Sequence, residues 1–292
     1  MSVAKNTEIL ELPSYIAGKA VGGELLDVIY PYTGEVMGCV RQVDGAGLER
    51  ALTSTQPVEL TRWVRHEILT NARALLAERA EEFAQLIRSE TGLCMRETRY
   101  EVGRTQDVLQ FAAMEALRDD GQIFSCDISP QGQARKIFTT REPLKLVAAI
   151  TPFNHPLNQV AHKLSPAIAA GAPVILKPSE KTPLTALRFT ELLYEAGLPP
   201  AMLSTIVGSV DEVVTPLIAD DRVELVSFTG SVAIGKTISR TAGYKKLCLE
   251  LGGNSPLIVL DDADLDLAVT LAAEGCFRNS GQRCTAVKRL LI

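Results

Sequence analysis

Residues 228–237, FTGSVAIGKT, contain G-x-x-x-x-G-K-T from Gly230 to Thr237. In a P-loop this pattern wraps backbone N–H groups around phosphates, and its lysine reaches the terminal ones. Downstream, PLIVLDD (Pro256–Asp262) reads as a buried strand ending in an acidic pair, where an NTPase places its magnesium-holding aspartate. Nucleoside triphosphate hydrolysis is therefore the first chemistry to weigh. Other reactive residues are scattered. The six cysteines (39, 94, 126, 248, 276 and 284) contain no C-x-x-C pair, and the three histidines (66, 155 and 162) no H-x-x-x-H pair. Neither a disulfide framework nor a zinc site is predicted, and no metal is expected.

The elements that must position these residues follow from periodicity. Residues 14–40 alternate short β-like runs with turns, and from Gly45 to about Asp119 the pattern is helical. Within it, Trp63, Ile68, Leu69, Ala72, Leu75, Leu76, Ala80, Phe83, Ala84, Leu86 and Ile87 make one apolar stripe at three-to-four spacing. Residues 122–141 read as a hairpin about Pro130-Gln131-Gly132. From Leu144 onward, apolar strands and amphipathic helices alternate, from LKLVAAI to ADLDLAVTLAAEGCF. Repeated βα units of this kind predict a parallel sheet covered on both faces, which binds ligands beyond the carboxyl ends of its strands.

Composition is that of a globular chain: 292 residues, 46% hydrophobic, 22% charged. A net charge of −5 argues against nucleic acid or an anionic membrane surface as partner. No apolar run reaches the roughly 18–20 residues that span a bilayer. The N-terminus lacks the layout of a signal peptide, so a cytoplasmic protein is expected.

Position tests the P-loop. Such a loop closes the first strand of its domain, whereas Gly230 follows the fourth strand of a running series. Only 55 residues follow Thr237, too few for the rest of an NTPase sheet. The shared physics survives: small residues at a strand-to-helix turn aim free N–H groups at a phosphate. A Rossmann G-x-G-x-x-G fingerprint is absent, so any pyrophosphate site must be built differently.

Five segments occur in order: TPFNHPLN (Thr151–Asn158), LKPSEKTPLTA (Leu176–Ala186), FTGSVAIG (Phe228–Gly235), LELGGNSP (Leu249–Pro256) and NSGQRCTA (Asn279–Ala286). Each resembles the matching motif of the aldehyde dehydrogenase superfamily, and the resemblance runs across essentially the whole chain. It implies an α/β fold with a Rossmann-type parallel sheet, flanking helices, an N-terminal helical segment and a hairpin arm. It also implies an NAD-binding domain over 1–249, with an oligomerisation hairpin at about 122–141, and the start of a catalytic domain over 250–292. The family continues well beyond Ile292. The resemblance therefore predicts a fragment, poorly folded at its C-terminal end and little active, of a protein that is a homodimer or homotetramer.

The resemblance makes Cys284 the nucleophile, whose thiolate attacks an aldehyde carbonyl. Asn154 and the Cys284 N–H would receive the oxyanion, and Glu250 would activate water against the thioester. It places Lys177 and Glu180 on the adenosine ribose, where Glu180 favours NAD over NADP and Lys177 and Ser179 soften that preference. Gly230 and Ser231 would meet the pyrophosphate. Thr151, Pro152, Phe153, Gly208, Phe228 and Leu251 complete the cofactor set, although Val210 and Val214 stand where many members carry glycines.

Two features are unusual for a general aldehyde oxidiser: Arg283 precedes the nucleophile and His155 follows Asn154. With Arg104 on the helix that faces the family's substrate tunnel, they suit an aldehyde with a dianionic tail. The set resembles phosphonoacetaldehyde dehydrogenases. GQRCTAVKR also resembles non-phosphorylating glyceraldehyde-3-phosphate dehydrogenases, which typically carry Tyr after the Asn and use NADP. Lactaldehyde and phosphonoformaldehyde are the remaining small-aldehyde alternatives. His155 and Glu180 tilt the expectation to the phosphonate.

Overall fold

The computed structural model describes residues 9–118 and 121–292. The first eight residues, which enter the signal-peptide reading, and Asp119, the expected end of the helical stretch, lie outside them. Short strands β1 (Leu10–Leu12), β2 (Ser14–Ile16), β3 (Lys19–Val21), β4 (Leu25–Ile29) and β5 (Val36–Arg41) open the chain. Helices α1 (Gly45–Ser54), α2 (Arg62–Glu78), α3 (Ala80–Thr91) and α4 (Met95–Ala116) follow. Strands β6 (Ile123–Ser125) and β7 (Lys136–Phe138) pair antiparallel, the hairpin expected at 122–141.

The alternating part runs β8 (Val147–Ile150), α5 (Asn158–Ala170), β9 (Val174–Lys177), α6 (Pro183–Glu195), β10 (Leu203–Thr205), α7 (Thr215–Ala219), β11 (Leu225–Thr229), α8 (Val232–Thr241) and β12 (Lys246–Glu250). It closes with β13 (Ser255–Ile258), α9 (Leu265–Phe277) and β14 (Val287–Leu291). The main sheet has the order β12-β11-β8-β9-β10-β2-β3, parallel from β12 to β10 and antiparallel beyond. Strands β1, β5 and β4 form a second small sheet.

Period-two alternation in the buried strands feeds two cores. Val147, Ala149, Val174 and Leu176 join the helices α2 to α6 in one. Ala148, Ile150, Ile175, Val226 and Phe228 join Leu48 of α1, Leu217 of α7 and Ile238 of α8 in the other. The sheet is thus covered on both faces, as the unbroken apolar strands predict.

Three expectations are corrected. The apolar stripe is divided at Arg79, whose backbone (φ −104, ψ 19) leaves the helical region between α2 and α3. Trp63 at its head is 58% exposed and lies against the His66 ring, because the stripe reaches the core only from Ile68. Strand β13 is not a buried member of the main sheet. It pairs with β14, its residues alternate between half-buried and exposed, and Asp261 and Asp262 are exposed.

A buried carboxylate fixes the start of α6. Glu90, from α3, accepts the amides of Leu184 (2.6 Å) and Thr185 (2.9 Å) and the Thr185 hydroxyl. These are first-turn donors that no intrahelical carbonyl can satisfy. Burial pushes the Glu90 carboxyl up to about 7, against these donors, which lower it. Glu90→Ala would strand three buried donors and should destabilise the chain by about 3 kcal/mol, whereas Glu90→Gln keeps an acceptor and should cost about 1 kcal/mol. Urea unfolding midpoints test this; equal midpoints for the two variants would remove Glu90 from the capping role.

Candidate active site

The chain runs from β8 outward through β9 to β10, then returns to place β11 on the other side of β8. The connections after β8 and β11 therefore part in opposite directions and leave a crevice beyond the strand ends. A cavity of about 680 Å³ opens there. Pro152, Phe153, Asn154 and His155 enter it from the β8 end, and Gly230 and Ser231 from the β11 end. Those two residues are the whole turn between β11 and α8. Lys236 and Thr237 lie exposed within α8, so the P-loop pattern has no eight-residue cradle here. Gly230 is required by packing as well: a Cβ there would come within 2.4 Å of the Phe228 ring.

The segment that carries the candidate nucleophile, Cys284, arrives from α9 and is termed the nucleophile segment. Asn279, Ser280 and Gly281 adopt positive φ in succession (55, 54 and 70), turning the chain so that Cys284 stands exposed in the cavity. Left-handed backbone at two non-glycine residues is strained, and side chains hold it. Asn279 is buried and donates its amide to the Asn154 carbonyl (3.2 Å) and the Gln282 carbonyl (3.4 Å). Asn154 donates Nδ2 to the same Gln282 carbonyl at 2.7 Å. The oxyanion candidate and the nucleophile loop are thereby tied together, with the second N–H of Asn154 left for a ligand.

The two arginines and the histidine singled out for the substrate all line this cavity: Arg104, His155 and Arg283. Arg283 donates Nη2 to the Gly275 carbonyl of α9 (3.2 Å). Sequence reading missed their supports. Glu97, Tyr100, Glu101 and Arg104 share one face of α4 and all line the cavity. Arg278 stacks over the Tyr100 ring at 4.3 Å and reaches Glu97 at 3.5 Å, tying α4 to the nucleophile segment. The signal was the polar residues three, four and seven positions before Arg104.

The cofactor candidates divide into two sets. Leu251 lines the cavity with Pro152, Phe153, Gly230 and Ser231, and Ser231 also caps α8 by accepting the Ile234 amide. Lys177, Ser179 and Glu180 lie beyond these, at the end of β9, where Lys177 Nζ meets Glu180 at 2.9 Å. The Lys177 ammonium helps hold the Glu180 carboxyl below the usual range, against partial burial, which raises it. Thr151 and Phe228 are buried beside the crevice. Gly208 lies away from the cavity lining, where a Cβ would strike Val213 and the Val43 carbonyl. Val210–Val214, following it, forms a π-helical turn.

Unsatisfied atoms test whether a polar ligand fits. Among the described residues six side-chain polar atoms are buried without a partner: Arg65 Nε and Ser165 Oγ elsewhere, and Thr151 Oγ1, Asn158 Oδ1, Thr229 Oγ1 and Arg283 Nε around the crevice. Asn158, Thr229 and Arg283 line the cavity and Thr151 adjoins it. Buried orphans are rare in native structures, so their concentration here fits a crevice built to take a polar molecule. No cluster of three or more metal-ligating side chains occurs among the described residues.

Glu250, at the end of β12, is exposed and is not itself in the cavity lining. Close to it, on α5, Lys163 is only 7% exposed, and its Nζ donates to Ser227 Oγ at 3.0 Å. Burial pushes the Lys163 ammonium down from 10.5 to about 8. Between those values the unfolded chain binds more protons than the folded one, so stability should rise with pH across this window, by about 2–3 kcal/mol in total. Urea midpoints measured against pH should show this rise in the wild type and lose it in Lys163→Met. A rise that persists in the variant would place its source elsewhere.

A doubly covered parallel sheet, its crevice at the switch point and an exposed cysteine within that crevice define a doubly wound α/β protein with a thiol in its crevice. The chain belongs to the aldehyde dehydrogenase family, whose sequence model matches residues 17–292. It is 38% identical over 290 residues to 3-sulfolactaldehyde dehydrogenase of Priestia megaterium, covering 98% of this chain and 61% of that protein. The crystal structure of aldehyde dehydrogenase 21 from Physcomitrella patens in complex with the reaction product succinate superposes with TM-score 0.93 at 35% identity. That match covers 97% of this chain and 61% of that one. Betaine aldehyde dehydrogenase from Staphylococcus aureus in complex with NAD+ matches with TM-score 0.91 at 33% identity, covering 96% of this chain and 57% of that one. The chain thus spans about three fifths of the length of these relatives. No helix among the described residues is long and apolar enough to cross a membrane.

Proposed function

We propose that the protein oxidises a small aldehyde with an anionic tail to its carboxylic acid, with NAD as acceptor, through a thioester on Cys284. The observation that carries this reading is the convergence, in one cavity, of an exposed cysteine, an amide tied to its loop, and Arg104, His155 and Arg283. The Cys284 thiolate adds to the carbonyl carbon, forming a C–S bond and leaving charge on oxygen. The free N–H of Asn154 and the Cys284 amide receive that oxyanion. The chemistry that bound NAD supplies is acceptance of a hydride; Gly230, Ser231, Pro152, Phe153 and Leu251 would hold it in the crevice, with Lys177 and Glu180 beyond. Glu250 takes a proton from water as its oxygen attacks the thioester, and the C–S bond breaks to return the thiolate. The NAD named for the Staphylococcus aureus structure supports the cofactor assignment.

The anionic tail is supported by Arg104, Arg283 and His155 and by relatives whose names or bound products carry a sulfonate or carboxylate. Our specific candidate is phosphonoacetaldehyde, oxidised to phosphonoacetate. The same reading includes an NAD-binding part over 1–249, supported by the main sheet ending at β12, a homo-oligomer built with the β6–β7 hairpin, and a cytoplasmic location, consistent with six free thiols. The test is NADH formation by the complete protein with phosphonoacetaldehyde, 3-sulfolactaldehyde, succinic semialdehyde, glyceraldehyde 3-phosphate and propanal, each with NAD and NADP. An anionic aldehyde should exceed propanal at least about tenfold in kcat/KM, since one charge-assisted contact is worth about 1.5 kcal/mol or more. Equal rates with propanal would sink the anionic reading. Preference for glyceraldehyde 3-phosphate with NADP would displace the phosphonate.

A further inference from the structure

Glu101 has the most committed side chain at the cavity. It is 1% exposed, and its Oε1 accepts the first amides of the α5 region, Leu157 at 2.9 Å and Asn158 at 3.0 Å. Its Oε2 lies 3.2 Å from His155 Nδ1. We propose that Glu101 is a positioning residue that keeps the His155 proton on Nδ1 and thereby makes His155 a switchable ligand for the anionic tail. The inference rests on the anionic-aldehyde reading above.

The chemistry follows from donor counting. Two amide donors at a helix N-terminus favour an ionised carboxylate, which accepts hydrogen bonds and donates none. Nδ1 must therefore carry hydrogen. The ring is 22% exposed and lines the cavity with its Nδ1 edge held against a buried group, so the Nε2 edge is the one left for a ligand. A neutral imidazole in this tautomer offers a lone pair there, which repels an anion. Proton uptake from solvent onto Nε2 converts it to an N–H donor, with the new positive charge already paired to Glu101. Binding an anionic tail through His155 thus takes up one proton, and binding a neutral tail does not. The other charged or titratable groups sharing this cavity are Glu97, Tyr100 and Arg104 from α4, His162 from α5, Arg278, Arg283 and Cys284 from the segment after α9, and Lys288 from β14.

Glu101→Gln separates the two duties of the side chain. Its amide oxygen can still accept from Leu157 and Asn158, while its NH₂ faces Nδ1 as a donor and reverses the tautomer. Comparison of 15N-histidine spectra of the wild type and His155→Gln assigns the His155 imidazole. In the free wild type, His155 should carry hydrogen on Nδ1, and phosphonoacetate, but not acetamide, should protonate Nε2 as well. In Glu101→Gln the neutral tautomer should be Nε2–H, a donor that meets the anion as it stands, so phosphonoacetate should bind without protonating His155. A wild-type Nε2–H tautomer, or protonation of His155 by phosphonoacetate that persists in Glu101→Gln, overturns the proposal. Should that variant fail to fold, the wild-type tautomer and its response to phosphonoacetate decide alone. A His155 signal indifferent to phosphonoacetate overturns the anion role, while NADH formation from propanal still reads the oxidation chemistry separately.

Discussion

On the proposed thioester route, Cys284→Ala is expected to lower aldehyde oxidation by at least about 10⁴-fold, because alanine cannot form the covalent intermediate. The structure narrows the choice of nucleophile. Among the six free thiols, Cys284 alone lines the cavity at the ends of β8 and β11, and Cys39 is buried. Burial pushes the Cys39 thiol up, which removes it from nucleophilic duty. Iodoacetamide should label Cys284 in the wild type and stop turnover. Because Cys284 is exposed and its side chain fills no core, the alanine variant should keep the wild-type urea midpoint. Activity surviving in Cys284→Ala would discard the thioester route altogether.

The second large effect belongs to Asn154. Asn154→Ala should lower kcat by about 10²–10³, the usual result of removing one oxyanion donor, with KM little changed. The geometry adds a further expectation. Nδ2 of Asn154 also holds the Gln282 carbonyl at 2.7 Å, two residues before the nucleophile, so the variant should lose about 1 kcal/mol of stability. The remaining tie from Asn279, at 3.4 Å to the same carbonyl, should keep the loop in place. A variant that loses stability but keeps kcat would make Asn154 a loop brace and nothing more.

How far the sequence reveals this differs between fold and site. Unbroken apolar strands such as LVAAI and PVILK announce a sheet buried on both faces, and β8 and β9 are such strands. The 122–141 hairpin is legible for a similarly local reason, since its turn residues and flanking runs are contiguous. The break at Arg79 is not, because the apolar period continues through it into α3. Nor is the exposure of β13, whose apolar run is as strong as that of a central strand but pairs only with β14.

The sequence by itself determined the βα order, the family motifs, and the identity of Cys284, Asn154, Glu250, Arg104, His155 and Arg283 as candidates. Such information is local or carried by short ordered segments. It also offered a P-loop, which the two-residue turn between β11 and α8 removes. Only the tertiary structure decided what holds the candidates. Glu101 lies 54 positions from His155, Glu97 181 positions from Arg278, and Asn154 128 positions from Gln282. Pairings at such separations leave no periodic trace in the chain, because they depend on how α4, the end of β8 and the nucleophile segment pack together. A carboxylate on α4 reads as a solvated helix face until the fold buries it beneath another helix's N-terminus, where its unpaired amides and a histidine give it a partner and a task.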